Sequence, residues 1–523
     1  MLVLIPSSLV LLISCAREPT KKEPLARNGV IDLSDWDFTK DGNIKLNGEW
    51  HFAWRKTNPP ATINELLAQH KNKIAVPESW VNHPHPDQPS QNLSDQGFAT
   101  YLLQIKTNGQ LAAAEQPIGL KIGTITSAAT IWLLDAQGNI LLTMKKGVSA
   151  QSAIDEMPVT LPQAQGIQKT SLGELSLLIQ VSNHLNSKGG MWLAPEMGHI
   201  SRLNQQILND LLTSVFLIGA LTIIGLYHLV LYTQRREDRA SLAFFMLSLT
   251  MATREMMTSR FFQHLSIGHS KTGFEILTVI EYLTMPLITI AMSLLVLYIV
   301  PGKFFNWWNR TWNLAYGIVL CLFTLFTNSV TYSGALIFYE MHIIIAAVIT
   351  TIHLAHASFH KNKLATWLCI SLSVMIVAAI NDILHASNFI RTDFYTPYSF
   401  MGFVLLQSVI ISQKSAHAYK KAQHLTLHLK DEVELRTKEL KEKTKEALRA
   451  KEESEIAHNE TLIAKQESDQ AHREAVVAKD ASDKAHQEAE YLKEKAEIQT
   501  QKLEELDKAK TIFFQNMSHE IRT

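Results

Sequence analysis

Three hydrophobic patterns follow one another along the chain. From Leu33 to about Ile200, short apolar runs alternate with turn residues: Gly48–Phe52, Tyr101–Ile105, Ala129–Leu134 and Leu175–Val181, with breakers such as Gln137-Gly138-Asn139 between them. Strands at that spacing predict an antiparallel all-β sandwich. Residues 209–413 are overwhelmingly apolar and divide into seven segments at 211–232, 240–258, 275–300, 311–327, 333–358, 364–386 and 397–413. Each is close to the roughly 17–25 apolar residues that cross a bilayer. Residues 430–510 are dominated by Lys, Glu, Gln and Ala.

That last stretch repeats every fourteen residues: AKEESEIAHNETLI from Ala450, AKQESDQAHREAVV from Ala464 and AKDASDKAHQEAEY from Ala478. Fourteen is two heptads, which predicts a parallel coiled coil and hence a homodimer. With Ala450, Ala457, Ala464, Ala471, Ala478 and Ala485 at d, the a positions fall on Ser454, Thr461, Ser468, Ala475, Ser482 and Ala489. The same register later brings Leu492, Leu503, Leu506 and Phe513 to the seam. A small-residue seam packs weakly and a Leu-rich one tightly, so the coil is either a signal relay that shifts in its small-residue part or a passive spacer.

Basic residues orient the apolar segments. Arg235, Arg236 and Arg239 follow the first, Lys303 and Arg310 the third, Lys361 and Lys363 the fifth, and Lys414, Lys420 and Lys421 the seventh. The other connections contain only Arg260, Lys271 and Arg391. By the positive-inside rule the basic side is cytoplasmic, which puts the N-terminal domain outside and the C-terminal helix inside. Arg254, Glu255, Glu281, Glu340, His342, Asn381 and Asp382 are costly in lipid, so they are predicted to face the bundle interior.

Net charge is zero, with 49 basic and 49 acidic residues, and no basic face accumulates to suggest nucleic acid. Of three cysteines, Cys321 and Cys369 lie in apolar segments and Cys15 ends the apolar run of residues 1–15. No Cys/His spacing suits a metal, and His83-Pro84-His85 reads as a solvated loop. The run 1–15 is too short to span and reads as an export signal. Its Leu12-Ile13-Ser14-Cys15 resembles a lipoprotein box, which implies lipidation of Cys15. The missing basic start leaves an uncleaved anchor or an upstream start as alternatives. Trp36, Trp50, Trp54, Trp80, Trp132 and Trp192 could stack on sugars or pack the sandwich core, and core packing is the commoner use.

The last residues, Phe514 to Thr523, hold the candidate chemistry. His519 stands beside Glu520, a carboxylate able to orient the imidazole and take its proton during nucleophilic attack. The string FQNMSHEIRT resembles the phosphoacceptor box of bacterial sensor histidine kinases. The resemblance implies that His519 accepts the γ-phosphoryl of ATP, that Glu520 is its acid/base helper, and that Thr523 occupies the phosphatase position. It also implies transfer to an aspartate of a response regulator, with ATP and Mg²⁺ bound by a separate domain that these residues do not include. The chain has no Gly-rich phosphate cradle of its own.

Two further resemblances complete the picture. GLYHLVLYTQRRED and AAINDILHASNFI resemble the membrane domain of seven-transmembrane receptors with diverse intracellular signalling modules. The block from LNGEWHFAW to LLIQVSNHLNSKGGMW resembles the extracellular jelly-roll domain of such receptors, itself similar to sugar-binding sandwiches. No Lys between Arg391 and Lys414 is placed to hold retinal, and no inverted repeat suggests transport.

The sequence therefore predicts a multi-pass protein of the bacterial inner membrane. Its parts are a signal segment at 1–15, an extracytoplasmic sandwich at 30–203 and a seven-helix domain at 208–413. A coiled coil at 414–508 and the start of a phosphoacceptor domain at 509–523 follow. The expected ligand is an extracellular small molecule, with carbohydrate as a candidate class. The alternative is a non-enzymatic receptor and dimerisation module whose output comes from a separate kinase or another enzyme.

Overall fold

The computed structural model describes residues 21–56, 67, 72–86, 88–108, 117–125, 127–167, 173–386, 390, 392, 395–464, 479–480, 482–500 and 502. Residues 1–408 form one compact unit and 409–523 a second.

The first part of the chain is rich in β-sheet. Its strands are β1 (Val30–Asp32), β2 (Ile44–Lys45), β3 (Gly48–Trp54), β4 (Asn72–Val76), β5 (Glu78–Ser79), β6 (Pro84–His85), β7 (Gln88–Asn92) and β8 (Gly97–Lys106). After them come β9 (Ile118–Ile122), β10 (Ala128–Asp135), β11 (Ile140–Lys146), β12 (Gln163–Gly166), β13 (Glu174–Asn183), β14 (Gly190–Met191) and β15 (Glu196–His199). β5 pairs with β14 and β6 with β7 as two-stranded sheets, while the two larger sheets run β11-β10-β13-β8-β3-β4, with β1 added parallel to β8, and β12-β9-β15-β2.

Residues from both sheets meet in one core, which includes Ile44, Trp50, Leu103, Leu120, Ile131, Leu177 and Met197. Trp50 is fully buried and its Nε1 donates to Leu46 O at 3.0 Å, so its polar atom is satisfied inside. In β13 the run Leu175, Leu177, Ile179 and Val181 faces this core, while Leu178 packs on the other face with Leu102, Leu134 and the half-buried Trp132. Burial on both faces explains why Leu178 stands between Ser176 and Gln180 where a simple alternation would put a third polar residue.

The helical part starts without a linker. Helix α1 (Ile200–Gln234) leaves directly from β15, with His199 as its N-cap residue. Its first turn belongs to the β region: Ile200 N donates to Pro117 O at 3.0 Å, and Arg202 donates to Phe38 O and Thr39 O at 3.1 and 3.3 Å. A Cβ on Gly119 would stand 2.8 Å from Ile200 Cδ1 and 2.9 Å from Gln165 O, so glycine is what lets helix and sheet approach here. The predicted start at residue 211 is therefore late by about three turns of helix, because that first stretch packs on protein and is not apolar enough to read as membrane.

The other helices are α2 (Arg239–Thr258), α3 (Phe261–His264), α4 (Lys271–Ile299), α5 (Lys303–Trp308), a π-helical segment Asn309–Asn313, α6 (Leu314–Phe326), α7 (Ser329–Gly334), α8 (Leu336–Phe359), α9 (Lys363–Ala386) and α10 (Thr396–Ala464). Among the described residues, four helical stretches are long and apolar enough to cross a membrane: α1, α4, α8 and Lys363–Asp382 of α9. Helix α2 carries Arg239, Arg254 and Glu255, α6 is short once the π segment is set apart, and α10 is mostly polar. The chain is a membrane protein with several spans.

Candidate functional site

The β region rests on the ends of the helices through polar bonds contributed by three separate connections. Thr160 donates twice to Gln263 Oε1, from its N–H at 3.2 Å and its hydroxyl at 3.3 Å. Lys271 Nζ, on the first residue of α4, donates to Ala153 O at 2.9 Å. Ser187 N donates to Ser333 Oγ in α7 at 2.9 Å. With the covalent passage from β15 into α1, this end of the β region is joined to α1, α3, α4 and α7.

The loop that reaches α3 and α4 is itself pinned. Val148 and Met157 form a reciprocal backbone bridge at its neck. Inside, the buried Glu156 carboxylate accepts from Ser182 Oγ at 2.5 Å and His184 N at 3.0 Å. Burial pushes its pKa up, against the hydrogen bonds and the His184 and Lys271 charges that favour the carboxylate. Lys146 is 0% exposed and donates to Gly123 O. Burial is the main reason its pKa is pushed down to about 7, with the Arg260 charge adding to it.

Below this seam the polar contacts continue into the helices. Arg260 sits in the left-handed region (φ 59°) between α2 and α3 and pairs with Glu281 Oε2 of α4 at 2.9 Å. Arg254 of α2 donates to Glu281 O at 3.4 Å and Thr284 Oγ1 at 3.3 Å. Next to Glu281, the Tyr282 ring meets Tyr332 of α7 at 4.8 Å and Tyr339 of α8 at 5.5 Å. Tyr339 Oη and Thr324 Oγ1 of α6 are 2.6 Å apart. Deeper still, His342 Nε2 is 2.9 Å from Asn313 Oδ1, and Asn313 Nδ2 donates to Asn309 Oδ1 at 2.7 Å. These two Asn residues begin and end the π-helical segment, a geometry that recurs at functional sites.

The predicted intramembrane polar residues divide. Arg254, Glu281 and His342 are engaged between helices as expected, and Glu255 is half-buried. Glu340 is exposed on α8, contrary to the expectation that it faces inward, since the adjacent Tyr339 and His342 take the inward positions on that helix. Asp382 is used differently: it accepts from Tyr395 N at 2.7 Å and Thr396 N at 2.9 Å, capping α10 from the end of α9. Asn381 accepts from Thr392 Oγ1 at 2.9 Å.

Of the candidate sugar-stacking residues, Trp36, Trp50, Trp54 and Trp80 are in the core and present no face to a ligand. Trp192, 39% exposed, keeps an accessible ring while its Nε1 donates to Lys188 O at 3.2 Å. The His83 loop is more structured than expected. His83 Nε2 lies 3.2 Å from Glu78 Oε2, and Pro84–His85 pairs as β6 with β7. Among the described residues no three His, Cys, Asp or Glu side chains group to hold a metal ion. Cys15, His519, Glu520 and Thr523 lie outside the described residues.

Sequence reading missed Lys146, Glu156, Thr160, Gln263, Asn309 and Asn313. Lys146 had a signal, because it shares the inward parity of Leu142 and Met144 along β11. Asn309 and Asn313, four apart, also mark one face of a helix. Nothing in the local sequence of Glu156 or Gln263 points across to its distant partner.

Residues 210–414 match a family model described as 7TM diverse intracellular signalling. That match and the four apolar helices support a receptor of the seven-transmembrane kind, a membrane sensor in signal transduction. No curated protein matches the chain. Among solved structures it is similar to a beta-glucuronidase of Faecalibacterium prausnitzii, with 15% identity, a TM-score of 0.20, and coverage of 30% of this chain and 31% of that one. A structure of infectious bursal disease virus, Gx strain, matches with 10% identity, a TM-score of 0.09, and coverage of 30% and 59%. This chain thus spans about a third of the glucuronidase and less than two thirds of the viral chain, and both superpositions are too poor to set a fold.

Proposed function

We propose that this protein is a transmembrane sensor histidine kinase of a two-component system, in which an extracytoplasmic ligand controls phosphoryl transfer through His519. The observation behind the sensor half is the seam itself: a β region whose bonds to Gln263, Lys271 and Ser333 and whose direct run into α1 link it to four helices. The string FQNMSHEIRT at residues 514–523 supports the kinase half.

In this reading the β region is a jelly roll, seven helical segments cross the inner membrane with the N-terminal side outside, and the polar repeats pair two copies in a parallel coil. His519 attacks the γ-phosphoryl in line, Glu520 takes the imidazole proton, and Thr523 stands where water is positioned for the reverse reaction. ATP and Mg²⁺ belong to a domain other than the one described.

The test is phosphotransfer in membranes carrying the protein as expressed from its own gene, supplied with labelled ATP and Mg²⁺ and then with candidate response regulators. Acid-labile label that passes to a regulator and disappears in His519→Gln supports the kinase. Label or downstream signalling that persists unchanged in His519→Gln removes it and leaves a receptor with some other output.

A further inference from the structure

We infer that the loop between β11 and β12 dips an apolar tip into the bilayer on the side of the β region, making the lipid surface a direct partner of that region. Ile154 is 88% exposed at the tip of this loop. Val148 and Met157 at the neck are also exposed, as are Leu265 and Ile267 in the turn after α3, to which the same loop is bonded. Isolated apolar residues on a surface need no explanation, but these five belong to two segments that Thr160 and Gln263 hold together.

Their height relative to the membrane follows from α4. Its 29 residues rise about 43 Å, close to the roughly 40–45 Å of a bilayer with its headgroup regions. Lys271, the first of them, therefore lies at the headgroup level, a usual place for a lysine. Its Nζ is bonded to Ala153 O, one residue from Ile154. The tip thus begins where the lipid-facing surface of α4 ends.

The loop is also rigid enough to hold that position. Beyond the Glu156 bonds, Ser152 Oγ donates to Asp155 Oδ2 at 2.7 Å and Ala150 N donates to Ser182 Oγ at 3.2 Å. Asp155 keeps its charge turned to Ser152, at the level of headgroups and water, while Ile154 projects. An apolar side chain held out at that level is stabilised by entering the acyl-chain boundary. Lipid packing then bears on the same loop that bonds Gln263 and Lys271. The inference holds whether or not His519 accepts phosphate.

The experiment is collision-accessibility EPR on the full chain in nanodiscs of phosphatidylethanolamine and phosphatidylglycerol. With Cys15, Cys321 and Cys369 replaced by alanine, a nitroxide is placed at Ile154→Cys or, as the control, at Ile140→Cys. Ile140 is 52% exposed at the opposite end of β11. The oxygen-to-nickel-chelate collision ratio is expected to be several-fold higher at 154 than at 140. Equal ratios would place the tip in water, and exclusion of both reagents at 154 would mean that a protein surface covers it. Either result overturns the inference.

Discussion

Lys146 and Gln263 show how single residues tie the seam to measurable behaviour. The ammonium of Lys146 is buried with a backbone carbonyl as its hydrogen-bond acceptor, and its pKa falls from 10.5 to about 7. A depressed folded-state pKa means that, between about pH 7 and 10.5, the unfolded chain binds a proton that the folded chain does not. Stability contributed here is full above pH 10.5 and is lost as pH falls toward 7, with a slope approaching about 1.4 kcal/mol per pH unit. Thermal unfolding in detergent should show that rise with pH, and Lys146→Met should flatten it. Gln263→Leu should cost about 1–3 kcal/mol, because the Thr160 N–H and hydroxyl would lose their shared buried acceptor. Trp50→Ala, in the common core of the two sheets, should cost about 3–5 kcal/mol by the same measurement.

At the scale of elements, α10 is the connection between membrane and polar helix, and its start is set by Asp382 rather than by a residue next to it in sequence. A carboxylate at a helix N-terminus satisfies otherwise orphaned N–H groups and complements the helix dipole. Asp382→Ala should therefore lower stability by about 0.5–2 kcal/mol, and amide exchange at Tyr395 and Thr396 should quicken while exchange in α8 stays as it was. The elements themselves were largely legible. The apolar runs at residues 48–52, 101–105, 129–134 and 175–181 all became strands, because each is a short run bearing aromatic, β-branched or leucine residues between turn formers. The ends of helices were less so: α1 begins at Ile200 because its first turn packs on β9 and β12, a tertiary contact that hydropathy does not register. The candidate junction was hardly legible at all. Thr160 and Gln263 are 103 residues apart, and only the folded chain brings them together.

For the whole molecule, the arrangement favours transmission through a seam rather than through one hinge. The β region is bonded to α1, α3, α4 and α7 at separate points, so a ligand that favours one setting of the sheets shifts the population of helix arrangements. Spatial continuity from Gln263 through Arg260, Glu281 and Tyr282 to Tyr339 is a route along which such a shift can pass. Coupling along it is established only when both ends bias one two-state element. The proposed output is the phosphorylation state of His519, and it can be read directly. Membranes holding the native protein would be incubated with ATP and Mg²⁺, digested near neutral pH so that phosphohistidine survives, and fragmented by electron transfer to localise the phosphate. The account predicts a phosphoryl group on His519 that is absent after His519→Gln. Phosphate found only on other residues, or no phosphate under conditions where a co-expressed known histidine kinase is labelled, would contradict it.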